Sequence, residues 1–251
     1  MEPISVVIIT YNEEKNIGRC LDSLKHITDD IVVVDSFSTD KTMALCKKAG
    51  VNFIQKPWKG YSLTKNYANS QAKHDWILSI DADEALTEEL QISIEQVKKQ
   101  LNSQSVYKFN RLMNYCGKWI YHSGWYPDTK IRLFNKKEVC WEGDIHETLT
   151  VPPHFTEILL KGDLLHYSYY TIQEHFKQAE RFAHLAADVL HRKGKKSSWA
   201  LIFAKTGFKF FRNFFLKKGF MDGLTGFTIC RITAWETYQK YCRLKGLNES
   251  L

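Results

Sequence analysis

Trp76-Ile77-Leu78-Ser79-Ile80-Asp81-Ala82-Asp83-Glu84 decides how the rest of the chain is read. Its first five residues are an apolar, β-rich run of strand length, and two carboxylates one residue apart follow at once. Acids at the end of a buried strand concentrate negative charge beside a core. Such a site needs a counter-charge, and a hard divalent cation carrying phosphate oxygens suits it. Solvated turns also contain Asp-x-Asp, so the weight of the pair depends on what lies upstream.

Upstream, apolar runs alternate with helical patterns. Ile4 to Ile9 is a near-continuous β-branched run, as expected for a strand covered on both faces. Asn12-Glu13-Glu14 breaks it and opens a helix with Ile17, Leu21 and Leu24 as its apolar stripe. Ile31 to Val34 is a second buried strand ending at Asp35, and Ser36 to Asp40 is a polar loop. Thr42 to Ala49 reads as a helix closed by Gly50. Val51 to Gln55 is a short strand and Ser62 to Ala72 a helix, before the strand at Trp76. This β-α-β-α-β-α-β order predicts a mostly parallel sheet with right-handed crossovers. Its polar clusters, Thr10 to Glu13, Asp35 to Asp40 and Asp81 to Glu84, all follow strand C-termini, the edge where open α/β sheets bind ligands.

Thr87 to Leu101 is an amphipathic helix capped by Thr87, with Leu90, Ile94 and Val97 on one side. From Val106 to Val151 short aromatic strands take over; Tyr107 to Arg111 and Lys130 to Phe134 alternate with period two. Helix returns from Ile172 to Arg192. Lys193 to Ser198 is a basic break, and Trp199 onward is mostly helical. Residues 1–170 thus read as a catalytic domain and 171–251 as a helical region.

The composition, 44% hydrophobic and 25% charged, is that of a globular chain, and a net charge of +7 suits anionic ligands or surfaces. Six cysteines lie scattered with no Cys-x-x-Cys pair, which argues against a zinc module or disulfide framework and favours a reducing compartment. The N-terminus has no secretory signal pattern, and no apolar run reaches the ~18 residues of a spanning helix. A cytoplasmic protein is expected, soluble or peripheral on the inner face of the membrane.

Without Gly-x-Gly-x-x-Gly or Gly-Lys-Ser/Thr after a strand, dinucleotide oxidoreductases and P-loop proteins are set aside. Acids and amides at the strand ends suit a nucleoside diphosphate: Asp35 can accept from a base or ribose edge, and Asp81 and Asp83 can bridge ribose and metal. Here the text becomes specific. Ser5 to Glu14, Ile31 to Thr42, Trp58-Lys59-Gly60-Tyr61, Lys65-Asn66-Tyr67-Ala68 and Trp76 to Glu84 resemble family 2 glycosyltransferases of the GT-A fold. Lys130 to Phe134, Gly143-Asp144-Ile145-His146-Glu147 and Gly219-Phe220-Met221-Asp222-Gly223 resemble the bacterial lipopolysaccharide-core heptose β-glucosyltransferase group.

The resemblance implies an α/β, GT-A-type mostly parallel sheet flanked by helices, with a C-terminal helical extension. It implies inverting transfer of a hexose, glucose from a UDP-sugar, to a glycan acceptor such as the lipopolysaccharide inner core, lipid-linked or free. Thr10, Tyr11, Asn12, Glu13 and Asp35 would hold the uridine and ribose, with Asp81 and Ala82 lining the nucleotide-sugar. Lys65 would approach the pyrophosphate, although Leu63-Thr64 departs from the expected Pro-Gln-like pair just before it. Asp83 and Asp81 would hold Mg²⁺ or Mn²⁺, with His166 as a third ligand or a satisfied core histidine. Glu147, then Asp144, would be the base that takes the acceptor's proton.

Two other functions fit parts of this pattern. A nucleotidyltransferase also pairs nucleotides with metal carboxylates, but Thr10 to Lys15 lacks its glycine-rich loop. A non-catalytic nucleotide-sugar-binding protein follows if Glu147 and Asp144 stand away from the site. Nucleic acid is not an expected partner, because the acidic edge repels phosphate unless metal is present. In the C-terminal region, Lys205, Lys209 and Arg212 share one helical face among Phe203, Phe210, Phe211, Phe214 and Phe215. That segment reads equally as a helix lying on an anionic membrane or as one packed on the domain with a solvated basic strip.

Overall fold

A computed structural model of the chain describes residues 2–143 and 148–249. The chain divides into two compact units, Met1–Arg111 with Asp128–Tyr167, and Leu112–Pro127 with Ser168–Leu251.

In the first unit the alternating pattern folds as a parallel sheet. The strands β1 (Ile4–Thr10), β2 (Ile31–Asp35), β3 (Asn52–Gln55) and β4 (Trp76–Asp81) are separated by helices α1 (Ile17–Asp22), α2 (Thr42–Ala49) and α3 (Tyr61–Gln71). β1 pairs in parallel with β2 and β4, and β2 with β3. The strands are apolar on both faces because both faces are covered. Val6 and Ile8 pack with Ile17, Cys20, Leu21 and Cys46 from the first two helices, while Val7, Val32 and Val34 pack with Ala68 of α3. Gly50 ends α2 in the left-handed conformation, as its glycine suggests. α1 is shorter than its apolar stripe, and Leu24 is buried from the turn that follows it.

Beyond β4 the sheet continues with antiparallel strands. These are β5 (Glu84–Leu86), β6 (Ser105–Tyr115), β8 (Asp128–Asn135) and β11 (Thr156–Tyr169), with α4 (Glu88–Val97) between β5 and β6. β7 (Lys118–Ile120) lies between β6 and β8 in the chain and pairs with the end of β6. The order is β3-β2-β1-β4-β8-β6-β11-β5, and β9 (Cys140–Glu142) and β10 (Thr148–Thr150) form a separate antiparallel pair. β5 and β11 were not expected from the sequence. Gly162 makes their pairing possible: its φ is +90°, and a Cβ there would lie 2.3 Å from the backbone nitrogen of Leu90. β11 therefore passes tightly under the start of α4. The Thr87 N–H donates to the Asp163 carbonyl at 3.2 Å, and the Asp163 N–H to Thr87 Oγ1 at 3.1 Å.

The second unit is built on α5 (Ile172–Arg192), α6 (Trp199–Phe211) and α7 (Gly223–Glu249). A π-helical turn at Arg212–Leu216 and a 3₁₀ turn at Gly219–Asp222 connect α6 to α7. Thr171 and Glu174 form a capping box that fixes the start of α5. Tyr115, Trp125 and Tyr169 surround the buried His175, whose Nδ1 lies 3.1 Å from the Tyr115 hydroxyl. Burial in this apolar nest pushes the His175 imidazolium down to about 4. No helix among the described residues is long and apolar enough to cross a membrane.

Candidate active site

The parallel register gathers the expected residues on one edge. Thr10 stands opposite Asp35, and Ile9 opposite Asp81, so three adjacent strands end together. With strands ~4.8 Å apart, β2 and β4 lie about 10 Å from each other across β1.

At the β1–β2 end the side chains build the rim from each other. Asp35 is fully buried, and its carboxylate accepts from the Ser38 N–H at 2.9 Å, from Gln55 Nε2 at 3.0 Å and from the Ser38 hydroxyl. Asn12 takes a positive φ of 54°; its Oδ1 accepts from the Thr39 N–H at 2.8 Å and its N–H donates to Ser38 Oγ at 2.8 Å. These bonds tie the loops after β1 and β2 together and leave the rings of Tyr11 and Phe37 in water. Thr10 Oγ1 is buried and has no hydrogen-bond partner among the described residues. Glu13 starts α1 through its carbonyl, while its carboxylate accepts from Asn16 Nδ2 at 2.8 Å. Burial, then the negative charges of Asp83 and Asp40, raise the Glu13 carboxyl above its ordinary range, against the Asn16 hydrogen bond and the His166 ring.

At the end of β4 lies a packed charge network. Lys65 of α3 is only 3% exposed. Its Nζ is 3.1 Å from Asp81 Oδ1 and 4.5 Å from the centre of the Trp141 ring. Arg132 of β8, 4% exposed, reaches Asp81 Oδ2 at 2.6 Å and Glu84 Oε1 at 2.5 Å. Glu84 also accepts from the Asp81 N–H at 2.9 Å, and Arg111 bridges Glu84 at 3.5 Å to Asp128 at 2.6 Å. Burial works to raise the Asp81 carboxyl, but Arg132 and Lys65 hold it well below the usual carboxylate range. Ala82 is buried beside it.

Asp83 and His166 meet through strand pairing. β5 and β11 set Leu86 opposite Leu164 and Glu84 opposite His166, and the Tyr167 N–H donates to the Asp83 carbonyl at 3.0 Å. His166 Nε2 then lies 2.9 Å from Asp83 Oδ2. Among the described residues no three His, Cys, Asp or Glu side chains converge as a complete metal site. A Mg²⁺-type cation in nucleotide chemistry takes only one or two protein ligands and fills the rest with phosphate oxygens and water. Asp83 supplies such a carboxylate, with the His166 ring nitrogen beside it as a second donor, whereas both oxygens of Asp81 already face cations. The proposed bases Asp144 and Glu147 lie outside the described residues. The chain is tethered just before them: Ser62 Oγ donates to the Gly143 carbonyl at 2.6 Å, and Asn66 makes two hydrogen bonds with the Trp141 backbone.

Arg132, Arg111, Glu84 and Asp128 were given no role from the sequence. A signal was present, because Arg132 sits among Ile131, Leu133 and Phe134 in a strand, and a charge among core residues has to face another charge.

Comparison with known proteins identifies the class. The profile described as Glycosyl transferase family 2 matches residues 5–145, more than half the chain. An uncharacterized glycosyltransferase of Rickettsia typhi is 34% identical over 258 residues, spanning 99% of this chain and 88% of its own. The lipopolysaccharide core biosynthesis glycosyltransferase LpsC of Rhizobium meliloti is 28% identical over 95% of this chain and 93% of its own. The crystal structure of S. aureus TarS 1–349 aligns over 99% of this chain and 90% of that one at 15% identity and a TM-score of 0.44. The chain is a glycosyltransferase whose α/β fold is of the GT-A type. It belongs to glycosyl transferase family 2.

Proposed function

We propose that the chain is an inverting, metal-dependent hexosyltransferase that moves glucose from a UDP-sugar to a glycan acceptor of the lipopolysaccharide inner core. The observation that carries the reading is the Asp83–His166 pair, 2.9 Å apart beside the cation-saturated Asp81 at the sheet edge. The similarity to LpsC over nearly the whole of both chains supports the acceptor class.

In this reading Tyr11 and Asn12 face the uridine, and the Thr10 hydroxyl completes the hydrogen bonding of the nucleoside end. Asp35 and Glu13 act there by holding the two loops in shape. Lys65 and Arg132 bring fixed positive charge to the diphosphate side, and Asp81 positions both. Asp83 and His166 hold Mg²⁺ or Mn²⁺, which when bound stabilises negative charge on a departing diphosphate. Glu147, or Asp144, takes the proton of the acceptor hydroxyl as it attacks the anomeric carbon from the face opposite the leaving group. One base and one activated leaving group suffice for inversion, by the logic of inverting glycoside chemistry.

The test is a donor screen with Mg²⁺ or Mn²⁺, following UDP release and the anomeric configuration of the product by NMR. UDP release from UDP-glucose is expected, with an inverted anomer on the acceptor. Asp83→Ala is expected to abolish release; an unchanged rate in that variant removes the metal assignment. Pyrophosphate in place of UDP as the product would mark a nucleotidyltransferase.

A further inference from the structure

The second unit exposes an apolar surface of a kind that soluble monomers leave in water mainly where something binds. Phe210, Phe211, Phe214, Phe215, Phe220 and Phe227 form one continuous chain of rings. Centroids are 5.2 Å apart for Phe211–Phe215 and Phe214–Phe215, 5.4 Å for Phe210–Phe214, 5.9 Å for Phe214–Phe227 and 6.2 Å for Phe214–Phe220. Four of these rings are exposed, as are Met221, Leu216 (62%) and Leu224 (85%). The backbone that carries them is packed inward. A Cβ at Gly226 would lie 2.0 Å from the Gly219 carbonyl oxygen, so glycine there lets the 3₁₀ turn press against α7. Asn213 and Asp222 are buried in the same connection.

The segment that carries most of this face has charge of one sign. From Trp199 to Met221 there are five cations, Lys205, Lys209, Arg212, Lys217 and Lys218, and no acid. The first acid, Asp222, is buried and accepts from the His122 N–H at 3.0 Å. Lys205, Lys217 and Lys218 are exposed. Two copies meeting through this face would set like charges against each other, which disfavours a homodimer. A nucleic acid would satisfy the cations and stack on rings, but the most exposed large apolar side chain of the face, Leu224, has no face for stacking. An anionic bilayer accepts both parts: acyl chains take the apolar side chains and headgroups take the lysines.

We propose that the face from Phe211 to Phe227 docks on an anionic phospholipid surface, with Leu216, Met221, Leu224 and the exposed rings at the acyl boundary and Lys217 and Lys218 among the headgroups. The inference uses no residue of the acidic edge and stands independently of the transferase reading.

The test is co-sedimentation of the full chain with phosphatidylcholine vesicles, with and without phosphatidylglycerol. Binding is expected only with phosphatidylglycerol and falls as salt rises. Lys217→Glu with Lys218→Glu, and separately Leu216→Ser with Leu224→Ser, each lower the partition coefficient by about tenfold or more. Both pairs lie on exposed positions, and unchanged circular dichroism and unfolding midpoint establish that the variants are folded. Four outcomes overturn the proposal: no sedimentation with anionic vesicles, equal binding to neutral ones, folded variants that bind like the parent, or a solution dimer broken by the leucine pair while vesicle binding is absent.

Discussion

Replacing Arg132 with methionine keeps the volume of the side chain and removes its charge. Two carboxylates then lose a partner at 2.6 and 2.5 Å, and Glu84 is fully buried. Breaking a buried ion pair from one side costs about 3–5 kcal/mol, because an uncompensated charge is left behind. The lower end applies here. Asp81 keeps Lys65 at 3.1 Å, and Glu84 keeps the Asp81 N–H at 2.9 Å and Arg111 at 3.5 Å. The expected loss is therefore about 3 kcal/mol, or roughly 6–12 °C in the transition that reports the first unit. The sign with pH is fixed by the depressed Asp81 carboxyl. Its contribution is complete above the unfolded carboxylate range and is lost as pH falls through its lowered folded value. In the variant, acid relieves the unpaired charges, so the gap from wild type is largest at neutral pH and narrows below about pH 4. Urea unfolding at several pH values measures both. A loss under about 1 kcal/mol at pH 7, or a gap that widens on acidification, refutes the reasoning.

Three other outcomes follow from the geometry. Gly162→Ala forces a Cβ toward the Leu90 backbone at a positive φ, so it costs about 2–4 kcal/mol in unfolding and weakens Mn²⁺ binding by displacing His166. His175 is held neutral, so wild-type stability rises between pH 4 and 6.5, by up to about 3 kcal/mol; His175→Phe flattens that rise in a pH series of unfolding curves. Thr10→Val removes the buried hydroxyl that lacks a partner among the described residues, so it leaves the unfolding free energy within about 1 kcal/mol of wild type while raising KM for the UDP-sugar.

The parallel half of the first unit and the first helix of the second were legible because their signals are local. The Ile4–Ile9 run, the Thr42–Ala49 helix with its closing Gly50, and the Ile172–Arg192 helix all carry their pattern within a few residues, and each lies where it was read. β5 and β11 were not legible. Glu84–Leu86 is three residues long, and Thr156–Tyr169 mixes charged and apolar residues around Gly162 without clean alternation. Their existence depends on pairing with each other across some eighty residues of chain, which no local window contains. The same holds for the site. The acids at the strand ends could be read from position, but the burial of Lys65 and the reach of Arg132 belong to contacts between distant segments. The pairing of His166 with Asp83 follows only once β11 is laid against β5.

In the proposed function Asp83 and His166 together hold a divalent cation for a nucleotide diphosphate. Titration calorimetry of Mn²⁺ into the full chain, with and without UDP, tests it without relying on turnover. Binding strengthened by UDP is expected, with Asp83→Asn and His166→Ala each weakening it by about tenfold or more. Mn²⁺ affinity that is the same in wild type and both variants would rule out Asp83 and His166 as ligands of the cation.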